Sequence, residues 1–268
     1  MGGEPTGGAA AIVSFHHLDQ YATVPSPITA APPVARLVGA ASVAAGAATL
    51  PLGAWGPLAV LAIPVLASAA IARLPLSRLL ARMTGPLAFV LLASIGLLVL
   101  VPGEPAAHLG PVAVTREGIA RCGFVLGRAI VALGAAVVLV STTSFPDLLH
   151  ALRVLRLPLV VTAALGLAYR LLYLLVDELE RLQRAARSRN AGGGDAGRRR
   201  LMIGVAAAVL GRAYARAERT HRAMVARGYS GDLPSLQAWV WSPQTVLVLA
   251  TLVALVAATS AAAHLGVL

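Results

Sequence analysis

The chain has 268 residues, of which 58% are hydrophobic and only 12% are charged, and its mean hydropathy is +0.79. Soluble globular domains carry about 25% charged residues, so this composition excludes an ordinary soluble domain. Aromatic residues make up 4% of the chain, which disfavours a membrane β-barrel with its aromatic girdles. We therefore predict an all-α integral membrane protein.

All twenty-two basic side chains are arginines, because the sequence contains no lysine. A P-loop nucleotide site needs a lysine that reaches the β- and γ-phosphates, so this chain cannot carry such a site. Any ATP hydrolysis coupled to its function must take place in another subunit. The single cysteine, Cys122, excludes an internal disulfide, and we interpret it as a small buried residue.

The first 33 residues are predicted to be a lead rather than a folded element. Met1 to Ala11 is rich in Gly and Ala and has no apolar core of its own, which is typical of disorder. Prolines at positions 25, 27, 32 and 33 then exclude a long helix. We expect a disordered, Pro-rich cytoplasmic lead.

Four transmembrane helices are predicted in the next part of the chain. Between Arg36 and Arg73 lie thirty-six residues without a charge, enough for two spans of about 20 residues each. A turn at residues 50–57, with two prolines and two glycines, would join them. Uncharged sequence from Met83 to Gly103 predicts the third span, and the fourth runs from about Gly118 to Val140.

Two arginines, Arg121 and Arg128, lie within the fourth span. An arginine inside a span costs about 3 kcal/mol on insertion scales. Each is therefore expected to face the helix bundle or to reach toward the membrane interface.

The positive charge is concentrated in the arginine-rich segment, defined as Leu152 to Gly228. It contains fifteen arginines and five carboxylates, a net charge of +10 out of +11 for the chain. Beyond it, nothing is charged after Asp232, and Val246 to Ala263 predicts the last span. Trp239 and Trp241 precede that span, as in an interfacial aromatic belt.

Two apolar runs inside the arginine-rich segment are predicted not to cross the membrane. Leu157 to Tyr169 has thirteen residues and Leu201 to Gly211 has eleven. At about 1.5 Å per residue neither crosses a hydrocarbon core about 30 Å thick. We interpret them as the starts of long amphipathic helices at the interface, which gives about five spans. A six-span alternative stays open if Arg170 is paired.

The arginines also predict the orientation. With five spans and the N-terminus inside, nineteen arginines are cytoplasmic and one or two are outside, as the positive-inside rule requires. The predicted domains are a cytoplasmic lead (1–33), four transmembrane helices (34–143), a cytoplasmic platform (144–236) and the last transmembrane helix (237–268). The predicted location is the cytoplasmic membrane.

The platform is expected to contain one short helix and two long ones. Ser144 and Asp147 favour a helix start, Pro158 ends that helix, and Gly192 to Gly197 lies in the turn between the long helices. Glu180 and Arg184 stand at i,i+4 in the first long helix, and Gly228 is the expected C-cap of the second. That glycine-rich turn matches a dinucleotide-binding pattern, but no strand precedes it, so we interpret it as a linker.

Each long helix is predicted to end in a small residue, an arginine and another small residue. Such an end suits docking, because small neighbours allow close approach and arginine offers a planar fork for a carboxylate. A simpler interpretation is that these arginines satisfy the positive-inside rule or bind anionic lipid headgroups. The six predicted docking residues are Ala186, Arg187, Ser188, Ala226, Arg227 and Gly228.

Several stretches together resemble a known family: Leu18-Asp19, Ser26-Pro27, Arg36, Phe145 to Leu149, Ala151-Leu152-Arg153, Leu157-Pro158, Tyr169-Arg170 and Glu218 to Gly231. The chain resembles the T components of energy-coupling factor (ECF) transporters, most closely the CbiQ-type subunit of cobalt and nickel importers. Ala226-Arg227-Gly228 matches the family's second Ala-Arg-Gly signature. Ala186-Arg187-Ser188 stands in the place of the first, with serine for glycine.

The resemblance implies a non-enzymatic coupling subunit in the lipid bilayer. It would join ATP-binding cassette ATPase subunits to a substrate-binding membrane subunit, with Arg187 and Arg227 as the anchoring cations. The six histidines show no spacing typical of a ligand set, and in the family the metal is held by the substrate-binding subunit. We predict no catalytic residue, cofactor, metal site or nucleic-acid partner.

Two other functions remain open from the sequence. An autonomous ion-coupled permease would usually have a charged group at the midplane and often an inverted repeat. A lipid-organising protein would bind through its basic segment and release at high salt. The sequence does not identify the transported substrate.

Overall fold

A computed structural model describes residues 26–73, 75–102, 105–109, 112–189, 195–229, 231 and 242–265. The predicted lead up to position 25, the glycine linker at 190–194 and the tryptophans before the last span lie outside these residues. The described elements are α1 (Pro27–Ala30), α2 (Pro33–Thr49), α3 (Trp55–Ile71), α4 (Leu76–Leu100), β1 (Pro105–Leu109), β2 (Val112–Thr115), α5 (Arg116–Thr142), α6 (Phe145–Val154), α7 (Leu159–Arg189), α8 (Asp195–Ala226) and α9 (Pro243–His264).

The described residues fall into two compact units. The bundle unit contains residues 26–151 and 242–265, and the arginine-rich unit contains the described residues of 152–231. Helical structure dominates both units, which confirms the all-α prediction. The exception is the loop between the third and fourth predicted spans, where β1 and β2 pair as a short antiparallel hairpin.

Helix α5 is the centre of the bundle unit, where it packs against α2, α3 and α4, while α9 packs against α2 and α3. The main core contains Leu61 of α3, Phe124 and Val131 of α5, and Val256 of α9. Phe124 is 1% exposed and makes an edge-to-face contact with Trp55, with ring centroids 5.3 Å apart. Val43 of α2 belongs to the same core, so four helices share one apolar cluster.

Glycines allow the helices of the bundle unit to approach closely. A Cβ atom at Gly46 of α2 would overlap Cγ1 of Val256 on α9, and one at Gly134 of α5 would lie 2.9 Å from Cγ1 of Val65 on α3. In lipid the helices gain little from hydrophobic burial, so close packing of small residues stabilises their association. The close packing of α2 with α9 and of α5 with α3 therefore depends on these glycines.

The predicted turn between the first two spans is confirmed. Helix α2 ends at Thr49 and α3 begins at Trp55. Gly53 has a φ of +97°, a conformation that glycine adopts without the steric cost of a Cβ atom. The two helices can thus reverse direction within a few residues.

Three helix ends lie together at one end of the bundle unit. Arg36, near the start of α2, and Arg82, near the start of α4, both donate hydrogen bonds to the last residues of α5. The start of α2, the start of α4 and the end of α5 are therefore on the same side. Alternating spans require this arrangement, and the predicted order of spans agrees with it.

Arg121 and Arg128 of the fourth predicted span have different surroundings. Arg121 is exposed, whereas Arg128 is half-buried and its guanidinium carbon lies 4.9 Å from the centroid of the Phe124 ring. A cation over an aromatic face is favourable, and more so where water is excluded. Arg128 thus faces the bundle, which is one of the two arrangements expected for an arginine within a span.

Among the described residues, four helices are long and apolar enough to cross a membrane: Leu79–Leu98 of α4, Arg116–Thr142 of α5, Leu159–Ala186 of α7 and Pro243–His264 of α9. Helices α2 and α3, with 17 residues each, are shorter apolar helices. The expectation that the run beginning at Leu157 is too short was wrong on length. In α7 the apolar sequence continues beyond Arg170 to Val176, so α7 qualifies as a span by length and composition, as the six-span alternative requires.

Candidate functional site

The short helix α6 begins as the sequence predicted. The hydroxyl of Ser144 accepts a hydrogen bond from the backbone N–H of Asp147 at 3.3 Å, which caps the helix. Pro146 and Asp147 occupy the first turn, where proline is tolerated and a carboxylate suits the positive end of the helix dipole. The start of the predicted platform is thus fixed by local chemistry.

The end of α6 lies in the arginine-rich unit and closes in a left-handed turn. The N–H of Leu157 donates to the carbonyl of Leu152 at 3.1 Å, and Arg156, with a φ of +67°, donates to Arg153 at 3.0 Å. This pair of bonds is a Schellman motif. It normally contains glycine, and an arginine in this conformation costs about 1–2 kcal/mol. Helix α6 thus ends at Val154, earlier than the sequence predicted, and Pro158 stands directly before α7.

Helices α7 and α8 pack against each other in the arginine-rich unit. Glu178 of α7 forms an ion pair with Arg212 of α8. Within α7, Glu180 accepts a hydrogen bond from Arg184 at 3.4 Å, as the i,i+4 spacing predicted. These pairs are largely exposed, so each contributes little to stability.

The end of α8 confirms Gly228 as the capping glycine. The N–H of Tyr229 donates to the carbonyl of Met224 and that of Gly228 to the carbonyl of Val225, both at 3.0 Å. Gly228 has a φ of +83°. The two bonds form a second Schellman motif, in which Arg227 is the last residue before the left-handed glycine. The side chain of Arg227 is exposed.

The end of α7 is built differently. Ala186, Arg187 and Ser188 all lie within the last helical turn, because the helix continues to Arg189. The hydroxyl of Ser188 donates to the carbonyl of Ala185 at 2.9 Å, so serine remains part of the helix and does not cap it. The side chain of Arg187 lies outside the described residues. The two predicted docking motifs therefore differ in backbone geometry.

The family of the chain follows from a comparison with known proteins. Residues 26–239 match the model of a family described as CbiQ, cobalt transport protein. The chain belongs to the CbiQ family. Both predicted docking motifs lie within the matched residues, whereas helix α9 lies beyond them.

Two curated relatives are similar to this CbiQ-family chain, and one of them is named as an ECF transporter component. The energy-coupling factor transporter transmembrane protein EcfT of Heliobacterium modesticaldum is 28% identical over 225 residues, which cover 80% of this chain and 84% of that protein. The cobalt transport protein CbiQ of Salmonella typhimurium is 30% identical over 107 residues, 37% of this chain and 48% of that protein. The chain is thus a multi-pass membrane protein and a T component of an ECF transporter.

An exposed apolar stripe, which was not predicted from the sequence, runs along α8. Ile203, Leu210 and Tyr214 are 64%, 72% and 75% exposed, and their spacing of seven and four residues puts them on one face. Val205, on the opposite side of the helix, is buried. The spacing is visible in the sequence, but only the structure shows that the described residues leave this face uncovered.

No metal site is present among the residues that the structure describes. Their His, Cys, Asp and Glu side chains nowhere group in threes that could hold an ion. His16 and His17 lie outside the described ranges. The described part of this CbiQ-family chain therefore offers helix ends and apolar faces rather than a ligand set.

Proposed function

We propose that this chain is the non-ATPase coupling subunit of an ECF-type importer, which transmits the motions of separate ATPase subunits to a substrate-binding membrane subunit. The observation that supports this best is the end of α8. There a fixed left-handed turn holds the backbone around Arg227 while the arginine side chain stays exposed. The proposed partner surface is a groove of an ATPase with a carboxylate.

The physical basis of docking is the combination of a rigid backbone and a planar cation. The Schellman motif limits the number of backbone conformations, so less entropy is lost on binding. Arginine can form two parallel hydrogen bonds with one carboxylate, and its neighbours Ala226 and Gly228 allow close approach. Arg187 is proposed to serve the same purpose from the last turn of α7.

The proposed orientation places the arginine-rich unit in the cytoplasm, where ATP is available. It rests on the positive-inside rule and on nineteen arginines that would share that side. Helix α7 is long enough to cross the membrane, but a crossing would put α6 and α8 on opposite sides. The proposal therefore has α7 lie at the membrane interface, with α6, α8 and the arginine-rich second half of α7 in the cytoplasm. The membrane would be the cytoplasmic membrane.

The proposed division of work leaves hydrolysis and cargo recognition to other subunits. Without lysine the chain cannot form a P-loop. Cobalt or nickel is the proposed cargo, because the family is described as cobalt transport proteins and the Salmonella relative bears the same description. The metal would bind to the substrate-binding subunit.

The experiment that tests this proposal reverses the two docking charges. The chain would be co-expressed with the ATP-binding cassette ATPase and substrate-binding subunits of the same genome, and their co-purification measured. Arg187→Glu combined with Arg227→Glu should weaken association at least about thirtyfold, since losing one partner of a buried charge pair costs about 2–5 kcal/mol. Arg199→Glu with Arg216→Glu makes the same charge change at exposed positions elsewhere on α8 and should bind almost normally.

Two results would contradict the docking proposal. Equal loss in both double variants would show that total charge, and hence lipid or nonspecific attraction, controls association. Normal association and normal uptake in the Arg187 and Arg227 variant would show that neither residue is an anchor. Metal uptake by the purified chain alone in liposomes would favour the autonomous permease.

A further inference from the structure

Arginines from two other helices of the bundle unit donate hydrogen bonds to the end of α5. Arg36 of α2 donates from Nη1 to the backbone carbonyl of Thr142 and, at 3.2 Å, to the hydroxyl of Thr143. Arg82 of α4 donates from Nη1 to the hydroxyl of Ser141 at 2.8 Å. We call these five residues the arginine clamp.

The same guanidinium of Arg36 also holds the segment before α2. Its Nε donates to the carbonyl of Ala31 at 3.2 Å, and Nη2 donates to the carbonyl of Thr29 at 3.5 Å. That segment is ordered by reciprocal capping between Ser26 and Thr29. Arg36 therefore bridges the end of α1 and the end of α5 with all three nitrogens.

The chemistry of the clamp suits arginine in particular. A helix C-terminus has unsatisfied carbonyls and a partial negative charge, which a cation stabilises. Ser141, Thr142 and Thr143 are all at most 6% exposed, so water competes little for these bonds. The flat guanidinium directs donors to several acceptors at once, whereas an ammonium is a compact point charge. Removing either arginine would leave buried acceptors without their donors.

The clamp lies directly before the helix that leads into the arginine-rich unit. Helix α6 begins at Phe145, two residues beyond Thr143. Its first-turn carboxylate, Asp147, interacts electrostatically with Arg36. The junction of α5 and α6 is thus fixed to the starts of α2 and α4 by side chains that lie far from it in sequence.

We infer that the arginine clamp is the positioning element through which movement of α6 reaches the membrane helices α2 and α4. The inference rests on the proposed coupling function and adds the residues that transmit the motion. Arg36 and Arg82 would have no contact with cargo or nucleotide. Without the clamp, α6 could move while the bundle stayed in place, so ATP would be hydrolysed without productive transport.

The test measures transported metal per ATP hydrolysed in the complete complex reconstituted in liposomes, with Co²⁺ and Ni²⁺ as the probes. Arg36→Gln should lower this ratio about tenfold, since hydrogen bonds to charged groups contribute about 1.5–3 kcal/mol each. Co-purification with the ATPases should remain normal. Arg73→Gln is the matched control, because Arg73 is exposed and precedes the same helix as Arg82, and it should leave the ratio unchanged.

Additional variants separate positioning from simple stability. Thr143→Val removes one acceptor of Arg36 and should lower the ratio less than Arg36→Gln. Because both changes remove the same hydrogen bond, the variant that combines Thr143→Val with Arg36→Gln should have the same ratio as Arg36→Gln alone. Arg36→Lys should recover only part of the ratio. If Arg36→Gln does not fold, as judged by rapid labelling of the buried Cys122, Arg82→Gln and Thr143→Val serve as the test.

The outcomes distinguish the two proposals. A wild-type chain that binds no ATPase would refute the coupling function and the inference with it. A wild-type chain that binds the ATPases, together with a normal ratio in Arg36→Gln and Arg82→Gln, would refute the inference alone. Loss of ATPase binding in Arg36→Gln would show that the clamp supports docking rather than transmission.

Discussion

The two units of this CbiQ-family chain use their side chains in opposite ways. The bundle unit contains two buried apolar clusters, and its Arg36 and Arg82 donate hydrogen bonds inward to the end of α5. In the described part of the arginine-rich unit, only Ala163 and Val205 are buried apolar residues, and Arg227 is exposed. The described residues of the bundle unit thus share buried contacts, whereas those of the arginine-rich unit are mostly exposed.

This difference explains how arginine can serve two purposes in one chain, the stabilisation of a junction and the recognition of another protein. An arginine whose donors all face backbone carbonyls and hydroxyls stabilises a junction. An exposed arginine on a fixed helix end can instead recognise a carboxylate of another protein. From charge alone, Arg36, Arg82 and Arg227 all serve only as markers of the cytoplasmic side. The structure distinguishes the hydrogen-bonded Arg36 and Arg82 from the exposed Arg227.

The largest expected effect comes from removing the central aromatic ring of the bundle unit. Phe124→Ala deletes contacts with Trp55 and leaves Arg128 without its aromatic face. We expect a loss of about 3 kcal/mol in the free energy of unfolding, near the low end for buried aromatic residues, because lipid tails are as apolar as the core. The rate of maleimide labelling of Cys122 in detergent, measured as temperature rises, reports this loss.

The matched control for that change is Phe89→Ala in α4. Phe89 is 73% exposed, so its removal should shift the labelling profile of Cys122 by less than about 0.5 kcal/mol. Equal shifts for Phe124 and Phe89 would contradict the view that the bundle unit is held by its internal packing.

A second prediction concerns the contact of α2 with α9. Gly46→Ala forces a Cβ atom into Cγ1 of the β-branched Val256, whereas a Cβ at Gly39 would meet the flexible end of Leu252 at 3.1 Å. We expect Gly46→Ala to destabilise the bundle unit by about 1–3 kcal/mol and Gly39→Ala to cost less. Thermal labelling of Cys122 again measures both. A greater loss for Gly39→Ala would show that the α2–α9 contact is looser than described.

Local features of this fold could be predicted from the sequence. The cap at Ser144 and the capping glycine at Gly228 depend on neighbouring residues alone, and both are confirmed. The lengths of the helices were predicted less accurately than their caps. The run after Leu157 was judged too short for a span because the count stopped at the first arginine, although one arginine does not end an apolar helix.

Long-range contacts could not be predicted in this way. Arg36 reaches Thr142 across 106 positions, and Glu178 pairs with Arg212 across 34. Such pairs depend on which helices become neighbours and in which register they pack, and local sequence patterns do not reveal either. The hairpin of β1 and β2 was missed as well, since the predicted loop carried no clear strand pattern.

The smallest expected effect, and the most direct test of a preformed helix end, compares two glycines of α8. Gly228→Ala places a Cβ in a left-handed conformation and should destabilise the turn by about 1–2 kcal/mol. Gly211→Ala, in the exposed helix interior with no atom within 4 Å of the added Cβ, should stabilise the helix by about 0.8–1 kcal/mol.

Hydrogen exchange at the amides of positions 228 and 229, which form the Schellman bonds, should therefore accelerate in Gly228→Ala, the first variant, and remain slow in Gly211→Ala, the second. ATPase association should weaken only in the first, because the arginine before the turn would lose its fixed backbone. If both variants bound equally well, the rigidity of this end would be irrelevant to docking and charge alone would suffice.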